Sequence, residues 1–310
     1  MLPMRPNPAR AVLVPFVVAV VAASIGCTAM PTSGTGTSAD NAAGGAAVRV
    51  SPLEAALAAA PPSEPVDLLG FWHVVPADST AAETWMQLDY GRVALGTECG
   101  PITGSLALSG HEMMANAPDY VYPECGGGAN RRPAEWLGAS FAFRGTTTGG
   151  FELLDRDGTV TATLTEGTAA DVSPEVWEGY QRVPEITEEI REWLTPAVAL
   201  PEGSDAAEDI IGRWVLAGEA NTAGRAYVEF RSDGSFRGSD GCNGVGGRWR
   251  LAADGRIITT HDPSTLIACA NPSIPLLFTG SIAQGATDGP TDELVLYGKD
   301  GVEQATLVRD

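Results

Sequence analysis

One pattern occurs twice in this chain, and no other feature constrains its fold as strongly. LLGFWHV (68–74) corresponds to IIGRWVL (210–216), with Gly70 and Trp72 matching Gly212 and Trp214 at an offset of 142. ECGPITGSL (98–106) lies against GCNGVGGRW (241–249), pairing Cys99 with Cys242 and Gly104 with Gly247 at 143. Cys125 and Cys269 follow at 144, and DGTVTATL (157–164) matches DGVEQATL (300–307) at 143. Matches in order with so little drift define a tandem duplication, residues 66–167 and 208–310. Each unit must therefore build its own small core.

Local patterns within the units are those of strands. AYVEF (226–230) alternates, with Val228 and Phe230 on one face, and SDG (232–234) supplies a tight turn into SFRGS. ELVLYG, KDG and VEQATLV predict another hairpin, and YGRV (90–93) and DRDG (155–158) supply turns in the first unit. Many short strands at this spacing predict a mainly β (α+β) chain: two small antiparallel sheets that curl toward open barrels. About one helix is expected in each, near Ser273 to Gln284 in the second unit and Arg132 to Leu137 in the first. A further short helix is expected over 51–61, with Ser51 as N-cap and Pro52 in the first turn.

Five cysteines occur: Cys27, Cys99, Cys125, Cys242 and Cys269. Two fall in each unit, 26 residues apart in the first and 27 in the second, which points to one disulfide per unit, Cys99 with Cys125 and Cys242 with Cys269. Closing a loop of that length stabilises by roughly 3 kcal/mol in the chain-entropy treatment. The stretch GSDGCNGVGGRW (238–249) has two competing readings. A phosphate cradle needs a lysine and a hydroxyl after GxxxxG, but Gly247 and Arg248 follow Gly246. A nucleophilic cysteine needs a partner that lowers its pKa, and the three histidines, His73, His111 and His261, do not recur at equivalent places in the two units. HEMM (111–114) lacks the second histidine of a zinc helix and reads as a strand, while DRDG lacks the later acids of a calcium loop. No catalytic residue, metal site or cofactor is expected.

The N-terminus sets the expected location. Arg5 and Arg10 precede an apolar run over 11–23, too short to span a bilayer and with the charge layout of a secretory signal. It ends in SIGC, which resembles the lipobox of bacterial lipoproteins, although Ser24 stands where Leu is usual; an ordinary signal with an incidental cysteine is the alternative. Residues 1–27 are accordingly expected to be a lipoprotein signal with lipid on Cys27, anchoring the chain to the extracytoplasmic face of the cell membrane. Residues 28–65 read as a disordered tether. The net charge of −20 repels phosphate backbones and argues against nucleic acid as a partner. Between the units, residues 168–207 read as an acidic helical linker. Trp177 and Tyr180 can share a face there, as can Ile186, Ile190, Trp193 and Leu194, with Pro184 bending or dividing the helix.

With IIGRWVL, YVEFRSDGSFRGSDGCNGVGG and TLIACANP (265–272) in order, residues 209–310 resemble the META domain, the HslJ-like heat-shock lipoprotein family. The first unit looks like a diverged copy: Gly100 stands where the family has Asn and Val121 where it has Thr. The motif positions are Gly212, Trp214, Asn243, Gly247 and Thr265. The resemblance implies an exported lipoprotein with a compact, mainly antiparallel β domain and no established enzymatic activity, linked to heat-shock, motility or antibiotic-tolerance phenotypes. The expected function is therefore a non-enzymatic binding or structural module with an envelope protein as partner. The alternative is a lipocalin-like carrier holding a small apolar ligand over Trp72 or Trp214.

Overall fold

The computed structural model describes residues 50–78, 84–96, 101–116, 135–168, 182–218, 226–252, 254–262, 274, 279–285 and 292–310. Cys27, Cys99, Cys125, Cys269 and Thr265, the signal run, and Trp177 and Tyr180 of the linker lie outside them. With 48% strand and 12% helix the chain is mainly β.

The first unit runs β1 (Gly70–Pro76), β2 (Thr84–Asp89), β3 (Arg92–Leu95), β4 (Ile102–Ser109), β5 (Glu112–Asn116), β6 (Ala142–Gly145), β7 (Phe151–Leu154) and β8 (Val160–Glu166). The second runs β9 (Gly212–Leu216), β10 (Tyr227–Phe230), β11 (Ser235–Ser239), β12 (Gly244–Leu251), β13 (Arg256–His261), β14 (Thr279–Gln284), β15 (Glu293–Tyr297) and β16 (Glu303–Arg309). Both sheets close rather than stay open. β8 returns antiparallel to β1 along Trp72–Pro76, and β16 returns to β9 along Trp214–Leu216, leaving no free edge in either barrel.

Eight strands enclose a lumen that side chains can fill, and period-two alternation fills it here. Trp72, Val74, Met86, Leu88, Val93, Leu95, Leu106, Leu108, Met113, Phe143, Leu153 and Leu164 converge in the first barrel. Trp214, Val228, Phe230, Phe236, Ile257, Ile282, Leu294, Leu296 and Leu307 do so in the second.

The duplication extends to fine geometry. Trp72 Nε1 donates to Leu68 O at 2.8 Å, and Trp214 Nε1 donates to Ile210 O at 2.8 Å, so each buried indole is satisfied by the carbonyl four residues upstream. A bulge between Leu153 and Leu154 of β7 recurs between Leu296 and Tyr297 of β15, at an offset of 143.

Helices depart from expectation in two places. The helix expected over Ser273 to Gln284 is strand β14 from Thr279 onward: Ile282 is fully buried, and the segment pairs with both β13 and β15. Barrel closure overrides helical propensity there, because an eight-stranded barrel requires a sixth strand at this point. In the first unit the helix is α2 (Glu135–Ala139), a few residues later than expected, and it buries Trp136 and Leu137. The preceding helix α1 (Pro52–Ala58) forms as expected, with a reciprocal Ser51–Glu54 capping box, and Ala56 O accepts a bond from Arg144 of β6. In the linker, α3 (Glu188–Leu194) begins at Thr187, whose side chain accepts from Ile190 N. Ile186, Ile190 and Leu194, spaced by four, pack on the first barrel core. Trp193 falls off that line and is 51% exposed against Tyr90.

Candidate functional site at the junction of the barrels

Outward-facing positions on a barrel strand should meet water, but some on β4, β5 and β13 do not. Ala107, Met114 and Ile258 form a small buried cluster of their own, at the place where β13 packs on β4 and β5. Met114 pairs with Ala107 across one hairpin, and Ile258 pairs with Arg250 across the other. In the repeat Ile258 is the counterpart of Met114 and Arg250 that of Ala107. Equivalent faces of the two copies thus meet, with alanine on one side where the other has arginine.

Arg250 is the principal polar link. Its side chain is only 9% exposed and reaches Glu112 at 3.2 Å. Its Nη2 donates to Met113 O at 3.1 Å and to Phe141 O at 3.3 Å, and the guanidinium stacks 3.7 Å from the Phe141 ring centroid. Its Nε has no partner among the described residues. Burial pushes the guanidinium down to about 10, opposed by Glu112 and reinforced by repulsion from Arg156, so it stays charged at neutral pH. Around it, Asn116 Nδ2 donates to Asp262 Oδ1 at 2.7 Å, and His261 N donates to Ser105 Oγ at 3.0 Å. The glutamate of HEMM, expected on a plain strand, is thus the partner of this arginine.

Two cavities flank the junction. The larger, of about 900 Å³, is an open cleft that takes residues from both barrels, among them Phe141, Arg156, Asp209, Arg248, Trp249 and Arg250. The smaller, of about 300 Å³, has an apolar floor of Leu69, Leu106, Leu108 and Leu194, with Tyr90 and Trp193 also lining it. Helix α3 is held beside it by Lys299, the chain's single lysine, whose Nζ donates to Glu192 O at 3.3 Å and also to Trp193 O. That places a cation on the last-turn carbonyls at the helix C-terminus. Burial lowers the pKa of Lys299, with Glu192 opposing.

Residues singled out from sequence occupy structural positions. Gly212 has φ of 136°, and a Cβ there would meet the Arg309 guanidinium at 2.3 Å. Gly247 faces Thr260 O so closely that a Cβ would lie 1.9 Å away. Trp72 packs edge-on against Phe151 with centroids 5.2 Å apart; neither it nor Trp214 lines either cavity. Cys242 is disulfide-bonded, and its partner lies outside the described residues. Asp240 organises that loop, accepting from Cys242 N at 2.8 Å, Asn243 N at 2.5 Å and Asn243 Nδ2 at 2.9 Å. These bonds hold its carboxyl below the ordinary aspartate value, with the Asn243 side chain the largest cause. Among the described residues, no group of three or more His, Cys, Asp or Glu is placed to hold a metal.

Sequence reasoning missed Arg250, Phe141 and the cleft. A signal for the junction was present: LAL, MMA and II are continuous apolar runs in strands that otherwise alternate, the pattern of strands covered on both faces. Compared with known proteins, the chain matches no family model, no curated protein and no solved structure.

Proposed function

We propose that the chain is a lipid-anchored envelope protein whose paired META-like barrels form one rigid, non-enzymatic binding module, with the inter-barrel cleft as its binding face. The observation that carries this reading is the cleft itself: about 900 Å³, walled by both copies and backed by the buried Arg250 link. That volume lies in the range of small-ligand sites. The twin barrels and the disulfide-bonded Cys242 suit an exported protein in an oxidising compartment. The SIGC lipobox supplies the proposed membrane attachment through Cys27.

Two measurements test the reading. Fatty-acid probe labelling in cells should disappear in Cys27→Ser, and unchanged labelling would remove the anchor. A photo-crosslinker at Asp157, on the cleft wall, should trap an adduct on intact cells that the same group at Val75, on the outer face of β1, does not. Identical adducts from both positions would remove the cleft as the binding face. The carrier of a small apolar ligand remains the second reading. The roughly 300 Å³ cavity floored by four leucines favours it, and it places the ligand beside Trp193 rather than over Trp72 or Trp214.

A further inference from the structure

The charges of the cleft are unevenly committed. Asp155 Oδ1 accepts from Asp157 N and Thr159 N, Asp233 Oδ1 from Ser235 N and Oγ, and Asp209 Oδ1 from Ile211 N. Three of the five acids lining the cleft are thus held in their own turns, while Asp157 and Glu208 also line it. The arginines are less engaged. Arg156 lies 5.1 Å from the Phe141 ring centroid and makes no ion pair among the described residues, while Arg248 has one bond, from Nη2 to Asp233 O. Arg250 lies on the same Phe141 ring, its charge balanced by Glu112 but its buried Nε without an acceptor among the described residues. Two guanidiniums therefore share one aromatic ring, and among the described residues only that of Arg250 is ion-paired. Trp249, half-buried, adds a second aromatic surface to the cleft.

Resting on the reading of the cleft as the binding face, we infer that it selects a small ligand with an oxyanion, carboxylate or phosphate, on a flat apolar body. The anion would bond to Arg156 and Arg248, whose guanidiniums are forked donors suited to such oxygens, and the apolar body would lie against Trp249.

The test uses two dyes with the same aromatic body, 8-anilinonaphthalene-1-sulfonate and N-phenyl-1-naphthylamine, which lacks the sulfonate. The sulfonate should saturate one site per chain, with energy transfer that falls in Trp249→Phe, and should bind at least about tenfold tighter than the neutral dye, the factor one charge-assisted bond supplies. Arg156→Gln should erase that difference, whereas Arg256→Gln, whose side chain pairs with Asp254 outside the cleft, should preserve it. Competition by benzoate and by phenyl phosphate then ranks carboxylate against phosphate. Equal affinities for both dyes, unchanged in Arg156→Gln, would overturn the oxyanion selection while leaving an apolar cleft. Displacement by neither competitor would also overturn it. Saturable binding of neither dye, or transfer indifferent to Trp249→Phe, would overturn the cleft reading as well.

Discussion

Replacing Arg250 with methionine removes the principal polar link between the barrels while nearly refilling its volume, leaving the Asn116–Asp262 and His261–Ser105 bonds. The guanidinium loses its ion pair to Glu112 at 3.2 Å, two carbonyl bonds at 3.1 and 3.3 Å, and its stacking on Phe141. Breaking a buried pair costs about 3–5 kcal/mol when the remaining partner is stranded. Glu112 retains 27% exposure, so water partly rehydrates it, and the long carbonyl bonds are the weak kind. The lower end, about 3 kcal/mol, is therefore expected; at a urea slope of about 2 kcal/mol/M the midpoint falls by roughly 1.5 M. The assay is urea unfolding followed by tryptophan fluorescence, alongside calorimetry, in which the variant should resolve separate transitions for the two barrels. Glu112→Leu combined with Arg250→Met should recover part of the loss, because neither charge is then left alone. A midpoint shift below about 0.3 M, or strictly additive losses in the double variant, would refute the assignment of Arg250 as the link.

Gly247→Ala should destabilise the second barrel by roughly 3 kcal/mol in the same unfolding assay, since its Cβ would sit 1.9 Å from Thr260 O and must force β12 from β13; a neutral result would show that the strands yield freely. Asp240 has a depressed folded pKa, so its contribution is present above the ordinary aspartate value of 3.8 and is lost as pH falls through the lower folded value. The amide resonances of Cys242 and Asn243 should therefore titrate below 3.8 and cease to titrate in Asp240→Asn, and a midpoint at or above 3.8 would contradict the loop geometry. Lys299→Met should raise hydrogen exchange at the Arg191 and Thr195 amides about fivefold, the effect of about 1 kcal/mol at a helix C-terminus, while amides of β1 and β2 stay protected.

The repeat made the twofold β architecture legible because its matches fall on residues with defined duties: Trp72 and Trp214 fill equivalent places, and the turns at YGRV, SDG and KDG close the expected hairpins. Closure of the barrels was not legible. It depends on β8 returning to β1 and β16 to β9 across the whole length of each unit, and pairing that distant leaves no local mark. Ser273 to Gln284 read as helix because its composition permits one, and only the need for a strand between β13 and β15 decides otherwise. The cleft was invisible for a related reason. Phe141, Arg156 and Arg250 come from a helix end, a turn and a strand in different copies, and nothing in their spacing along the chain announces that they share one ring.

The meeting of counterpart strands at the junction has a consequence for what happens when that contact loosens. A surface that fits its own sibling within one polypeptide fits the same sibling on a neighbouring polypeptide equally well, so a weakened chain has a ready route to exchanging halves with another copy. The Arg250–Glu112 pair limits that promiscuity: matching two second barrels would set Arg250 against Arg256, the counterpart of Glu112, in place of the carboxylate. The gene doubling thus left behind a lock that accepts only the unlike half.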